Sequence, residues 1–254
     1  GGVLAIGAST TIAQELIIRN GTLSITGTLT TTNMLTWSGG VMTGPGRTVA
    51  LGGLTLDGYQ VTLDGRTFDN AGAAVWNTVN NYSYLYLANN AVFNNLAGAS
   101  FTDQRDAAGL TASIYGDGSA NQINNLGAFV KNSNSDLDLT VAFNNTGAVD
   151  VQSGKLGLSG GASTGSFAVQ TGATLRLTGD HAFAAGASFT GDGLLEIAGG
   201  ANAFAANLSL PALQMTGGAL TGSGVVTVTG VTTWSDGVMS GAGRTVALGG
   251  LTLA

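Results

Sequence analysis

The chain has no cysteine, two prolines, one histidine and only eight lysines and arginines among 254 residues. Without cysteine there is no disulfide, no thiol nucleophile and no thiolate metal site. Fourteen acidic residues against those eight cations leave a net charge of −6. That balance argues against nucleic acid as a partner, because affinity there rests on Lys and Arg at the phosphates. Charged residues are 9% of the chain, where about 25% is usual in globular domains. So few charges incline the reading toward an extracellular or cell-surface protein. No uninterrupted apolar run reaches the about 18 residues of a membrane-spanning helix. No basic and apolar leader opens the chain at Gly1, so the sequence reads as processed, or as an internal piece of something longer.

What is abundant is glycine, at 42 of 254 residues, beside 44% apolar residues. The apolar content is too high for a disordered tail, and the glycines have no three-residue period, which excludes collagen. Self-similarity organises the chain instead. Residues 35–56, LTWSGGVMTGPGRTVALGGLTL, recur as residues 232–253, TTWSDGVMSGAGRTVALGGLTL, identical at 18 of 22 positions. Trp37 and Trp234 set the offset at 234 − 37 = 197, and weaker similarity extends it so that 21–56 recurs as 218–253. Residues 1–254 read as a single continuous β-solenoid, a window on a longer array with a 197-residue repeat.

A shorter beat lies inside the long one. The phrase Phe or Ile, Asp or Asn, then Asn, followed closely by Gly-Ala, places its last Asn at Asn70, Asn95, Asn125 and Asn145. An alternating apolar pair closed by glycine recurs at Leu156/Leu158, Leu175/Leu177, Leu195/Ile197 and Leu213/Met215. A beat of about 20 residues made of short alternating strands and Asp-Gly turns is the pattern of a solenoid. The only helical signal is TIAQELIIRNG, where Thr11 and Gln14 fit a capping box. The repeat sets Leu16 and Ile18 opposite Leu213 and Met215, which favours strand there.

These features predict an all-β parallel β-helix with coils of about 20 residues and little or no α-helix. Coils stacked about 4.8 Å apart make a rod of about 60 Å, with about 45–50 Å per long repeat. Identical positions then lie above one another, so Asn70, Asn95, Asn125 and Asn145 are expected to bond along the axis as a ladder. The Gly/Asn/Thr-rich coils, the FNNxGA phrase and the TWSGG…GxGRT phrase resemble the long bacterial surface and secreted proteins built on parallel β-helices. Filamentous-haemagglutinin-type adhesins and autotransporter-passenger shafts are the familiar members. That resemblance implies a right-handed helix and functions in adhesion, display, fibres or surface layers, without catalytic residues in the shaft.

Candidate sites are few, and no catalytic, cofactor or metal residue is assigned. His181, beside Asp180, has no G-x-S-x-G partner phrase and reads as a turn histidine. The cluster Asp103-Gln104-Arg105-Asp106 and the pair Asp136 and Asp138 are the best acidic groups for polysaccharide cleavage. They read more simply as solvated or turn carboxylates. Trp37 and Trp234 read as corner or core anchors, while Arg47 and Arg244 are expected to pair with a nearby Asp or cap a turn. The sharpest feature is Tyr82-Ser83-Tyr84-Leu85-Tyr86-Leu87, where alternation puts Tyr82, Tyr84 and Tyr86 on one face. With the leucines inward, these tyrosines make a contact strip for sugars or protein; the plainer reading is packing against neighbouring coils. The functional expectation is a non-enzymatic extracellular shaft that forms a fibre, stalk or surface layer and self-assembles end to end. A surface adhesin with a glycan- or protein-binding face is the alternative, and a polysaccharide lyase or hydrolase comes last. Expected partners are copies of the chain, glycans or cell-surface molecules, with no nucleic acid and no membrane span.

Overall fold

Each short segment alternates inward and outward side chains, and a solenoid follows when successive segments stack on their own kind. The computed structural model describes residues 2–77, 83–105 and 112–254. Among them are 33 strands and no helical residue. The strand pairings are parallel and build a β-solenoid of about 12 turns. One turn uses three strands, which define three faces. Ala112–Gly116 lies on face A, Gln122–Asn125 on face B and Ala128–Lys131 on face C; Leu137–Leu139 then returns to face A, stacked on Ala112–Gly116. Four longer strands, Lys155–Ser163, Thr174–Phe183, Ala212–Gly222 and Thr232–Met239, bend from face A onto face B.

The segment around Thr11 and Gln14 forms strands Thr10–Ile12 and Leu16–Ile18, with Leu16 and Ile18 in register with Leu35 and Trp37. Stacking decides against the capping-box helix, because a helix there would leave that coil without its face C strand.

The interior is a column of aligned apolar side chains. Phe68 and Phe93 stack with centroids 5.1 Å apart, Phe101 and Phe129 with 5.0 Å, and Phe183 and Phe204 with 4.8 Å. Trp37 is a core anchor on a strand rather than at a corner, fully buried and stacked on Phe68. Its counterpart Trp234 is half-buried, with its indole nitrogen donating to the Gly237 carbonyl at 3.2 Å.

The corner from face B to face C is narrow because glycine lines it. A Cβ on Gly147 would run into the Gly127 carbonyl of the coil beneath, and one on Gly165 into that of Gly147. Stacked strands follow one another about 20 residues apart. Three successive central steps on face A are longer, from Thr62 to Tyr86, from Tyr86 to Tyr115 and from Ile114 to Leu139. The extra residues fall mainly between a face C strand and the face A strand that follows it, and the stacked strands keep their register.

Candidate functional site: a tyrosine cluster and charged strip on face A

The strand Ser83–Ala88 buries Ser83, Leu85 and Leu87 and turns Tyr84 and Tyr86 outward, half-buried. Tyr82 lies outside the described residues. Neighbouring coils complete an aromatic cluster. Tyr115 stands in register with Tyr86, with ring centroids 4.8 Å apart, and lies 5.6 Å from Tyr84. Tyr59, 60% exposed, approaches Tyr84 at 5.5 Å. The planes of Tyr59 and Tyr84 meet at 84° and those of Tyr84 and Tyr115 at 87°. Edge-to-face contact uses ring faces within the cluster. The outer surface therefore offers ring edges and hydroxyls more than a flat stacking platform. Burial, followed by the neighbouring tyrosines, raises the Tyr115 phenol above its ordinary pKa. Its hydroxyl is 3.5 Å from the Gln60 amide oxygen. Tyr59 and Tyr115 do not stand out in the sequence, because each sits a full coil away from Tyr84 along the chain. The outward phase of Tyr115, next to inward Ile114, is the signal that marks it.

The same face continues into a charged strip. The register Tyr84, Ser113, Asp138, Gly157, Arg176, Glu196 runs along the axis. Asp136 and Asp138 flank the buried Leu137 and both stand half-buried on this face. Burial raises the Asp138 carboxyl above the ordinary range, and Asp136 adds to the shift; Arg176 and Lys155 oppose it. Glycine at 157 leaves room for the Asp138 carboxylate, which a Cβ there would strike. Glu196 takes Arg176 at 3.3 Å and Lys155 at 3.6 Å. These pairs are partly solvated and contribute little to stability.

Two polar rows mark the next face, one inside and one outside. Asn70 donates to Asn95, Asn95 to Asn125 and Asn125 to Asn145, each at 2.8 Å, and all four are buried. Asn70, Asn95 and Asn125 also donate to the carbonyls of Ser100, Ala128 and Ala148 on the next coil. Outside, Asn144 donates to Asn124 at 3.0 Å, Asn124 to Asn94 at 2.8 Å and Asn94 to Asp69 at 2.7 Å, and Arg47 pairs with Asp69.

Asp103 and His181 depart from the sequence reading. Asp103 is not a solvated carboxylate: it is fully buried, held by Arg105 at 2.7 and 2.9 Å and by the Ser133 hydroxyl at 2.8 Å. The reason is that Ser100–Asp103 points its last side chain into the core, where Arg105 lies 4.9 Å over Trp76. Lys131, in the next coil, shares this pocket; burial outweighs the nearby Asp103 and draws its pKa down to about 8. Asp106 is outside the described residues. His181 is not a turn histidine: it is buried within Thr174–Phe183 and packs on Phe183. Its Nδ1 is 3.1 Å from the Gly160 carbonyl and its Nε2 2.9 Å from Ser163 Oγ. A carbonyl only accepts, so Nδ1 carries the proton and Nε2 accepts from the hydroxyl. Asp180 faces elsewhere, accepting from the Ala201 amide at 2.7 Å.

Among the described residues no three His, Asp or Glu side chains converge as a metal site would require. No protein-family profile, no characterised protein and no solved structure matches the chain.

Proposed function

We propose that this chain is a structural shaft of an extracellular or cell-surface protein, of the kind its coil phrases resemble, forming a fibre, stalk or surface layer. The observation that carries this reading is the pair of hydrogen-bonded ladders on faces A and B. They run without a gap from Val3–Ile6 and Thr10–Ile12 to Leu251–Leu253 and Thr232–Met239. Such a ladder resists bending and local opening because each coil is held on both sides. Leu4 in the first coil, opposite buried Leu23, and Leu251 and Leu253 in the last, opposite Thr232 and Trp234, hold inward positions yet are exposed, and a further coil of the same array or the end of a second copy would cover them. Electron microscopy of the purified chain at rising concentration tests this; rods that lengthen in steps of about 60 Å are expected, and strictly single rods count against self-assembly.

A second reading is an adhesin whose contact surface is face A. The cluster of Tyr59, Tyr84, Tyr86 and Tyr115 favours it, since amphipathic rings with hydroxyls at the surface suit a wet contact with protein or glycan. Replacing Tyr84, Tyr86 and Tyr115 with serine is expected to reduce retention on glycan arrays or cell surfaces at least tenfold while leaving the fold intact. Unchanged retention and assembly would remove the contact role. Polysaccharide cleavage has less support. Glu196 is committed to Arg176 and Lys155, and it stands three coils, about 14 Å, from Asp138, beyond the carboxylate spacings of glycosidases. Asp136 and Asp138 stand side by side on the outer surface of face A, and a reducing-end assay with Asp138→Asn tests their role.

A further inference from the structure

The two copies of the long repeat do not lie on the same faces. Trp37 is on face C, in register with Ile18 and Leu56, whereas Trp234 is on face A, between Met215 and Leu253. The displacement holds along the whole overlap. Thr22–Ile25 on face A recurs inside Ala212–Gly222 on face B, and Thr28–Thr31 on face B recurs as Val225–Val228 on face C. Leu54–Leu56 on face C recurs as Leu251–Leu253 on face A. Neighbour relations survive the move. Leu23 over Met42 reappears as Leu220 over Met239, Thr28 over Arg47 as Val225 over Arg244, and Leu35 over Leu54 as Thr232 over Leu251.

The cause is arithmetic. From Leu35–Trp37 to Thr232–Met239 the chain advances 25 strands, and three of the strands passed serve two faces each, which makes 28 strand positions. A turn takes three, so 28 positions are nine turns and one face. The fold accepts the shift because all three faces use the same unit, a short strand with alternate apolar side chains inward. Leu29 fills the core from face B and its counterpart Val226 from face C, both buried.

We infer that the 197-residue repeat is a screw operation of this fold and not a translation. Each application carries a surface feature about 45 Å along the axis and one face around it; three applications return it to the starting face after 28 turns. The tyrosine cluster of Tyr59, Tyr84, Tyr86 and Tyr115 belongs to the part of the repeat between the two similar segments. Where the repeat is iterated, this cluster is presented on the three sides in succession. That arrangement fits partners approaching from all around the rod, such as neighbouring rods in a bundle, and does not fit a flat one-sided sheet. Register alone fixes the screw, whether the rod is a passive shaft or an adhesin.

The test extends the whole chain by appending residues 58–254 after Ala254, which occupies the place of Asp57 in the repeat. Thr62 stands outward on face A beside Tyr86, and the chain has no cysteine, so Thr62→Cys in both segments gives two unique labelling sites. Maleimide-linked gold seen by cryo-electron microscopy is expected about 45 Å apart along the axis and on adjacent faces. Two labels on one face overturn the inference. Should the extended chain not fold, a crystal structure of the 254-residue chain decides the same point: Trp37 and Trp234 on adjacent faces support the screw, and both on one face refute it.

Discussion

Buried amides and one buried imidazole hold more of this fold than their number suggests. Asn125 accepts from Asn95, donates to Asn145 and donates to the Ala148 carbonyl. Asn125→Ala leaves the Asn95 amide and the Ala148 carbonyl short of a partner in a dry core, at a cost of about 3 kcal/mol. Asn124→Ala, on the outer row where water replaces the lost bond, should cost less than about 1 kcal/mol; urea melts of the two variants compare them. For His181, burial holds the ring's pKa down at about 4 in the fold against 6.5 unfolded. The unfolded chain therefore takes up the proton first as pH falls, and stability drains between pH 6.5 and about 4 by a few kcal/mol. His181→Gln should flatten that limb of the stability–pH curve relative to the parent, and parallel curves would mean that His181 takes up its proton at the same pH in both states.

At the level of strands and corners, close approach of backbones is the controlling demand. Gly147 needs space, not an unusual φ: its Cβ position is already taken by the Gly127 carbonyl. Gly147→Ala should lower stability by about 3 kcal/mol or more, since the coils must part. Gly118 has open space around it but a φ of +89°, so Gly118→Ala should cost only about 1 kcal/mol. Thermal melts of both variants separate the two demands. The inward phase of Phe-x-Asn in Thr67–Asn70, Val92–Asn95 and Ala142–Asn145 explains why that phrase recurs. Its Phe joins the aromatic column, its last Asn joins the amide ladder, and the glycine that follows makes the corner.

For the molecule as a whole, stability comes from stacking, because no coil buries its apolar face alone. The terminal coils are the places where this face lies open. Leu251→Lys together with Leu253→Lys should therefore abolish lengthening of rods without changing the spectrum of the single rod, as light scattering and circular dichroism would record. Equal scattering from parent and variant would place association elsewhere, with face A the next surface to test.

The fold class, the strand units and the asparagine ladder follow from the sequence by itself, because a solenoid restates them at every coil and alternation alone sends Leu85 and Leu87 inward and Tyr84 and Tyr86 outward. What only the tertiary structure decided depends on register between coils of unequal length. The longer central turns, from Thr62 through Tyr86 and Tyr115 to the Leu137–Leu139 strand, hide which side chains meet. Tyr59 and Tyr115 therefore join Tyr84 only when the strands stack. Burial of Asp103 and His181 is likewise set by the coils above and below, which no local pattern describes. The phase of the long repeat belongs here as well: its length can be counted along the chain, but the face on which it ends depends on how many strands that length forms.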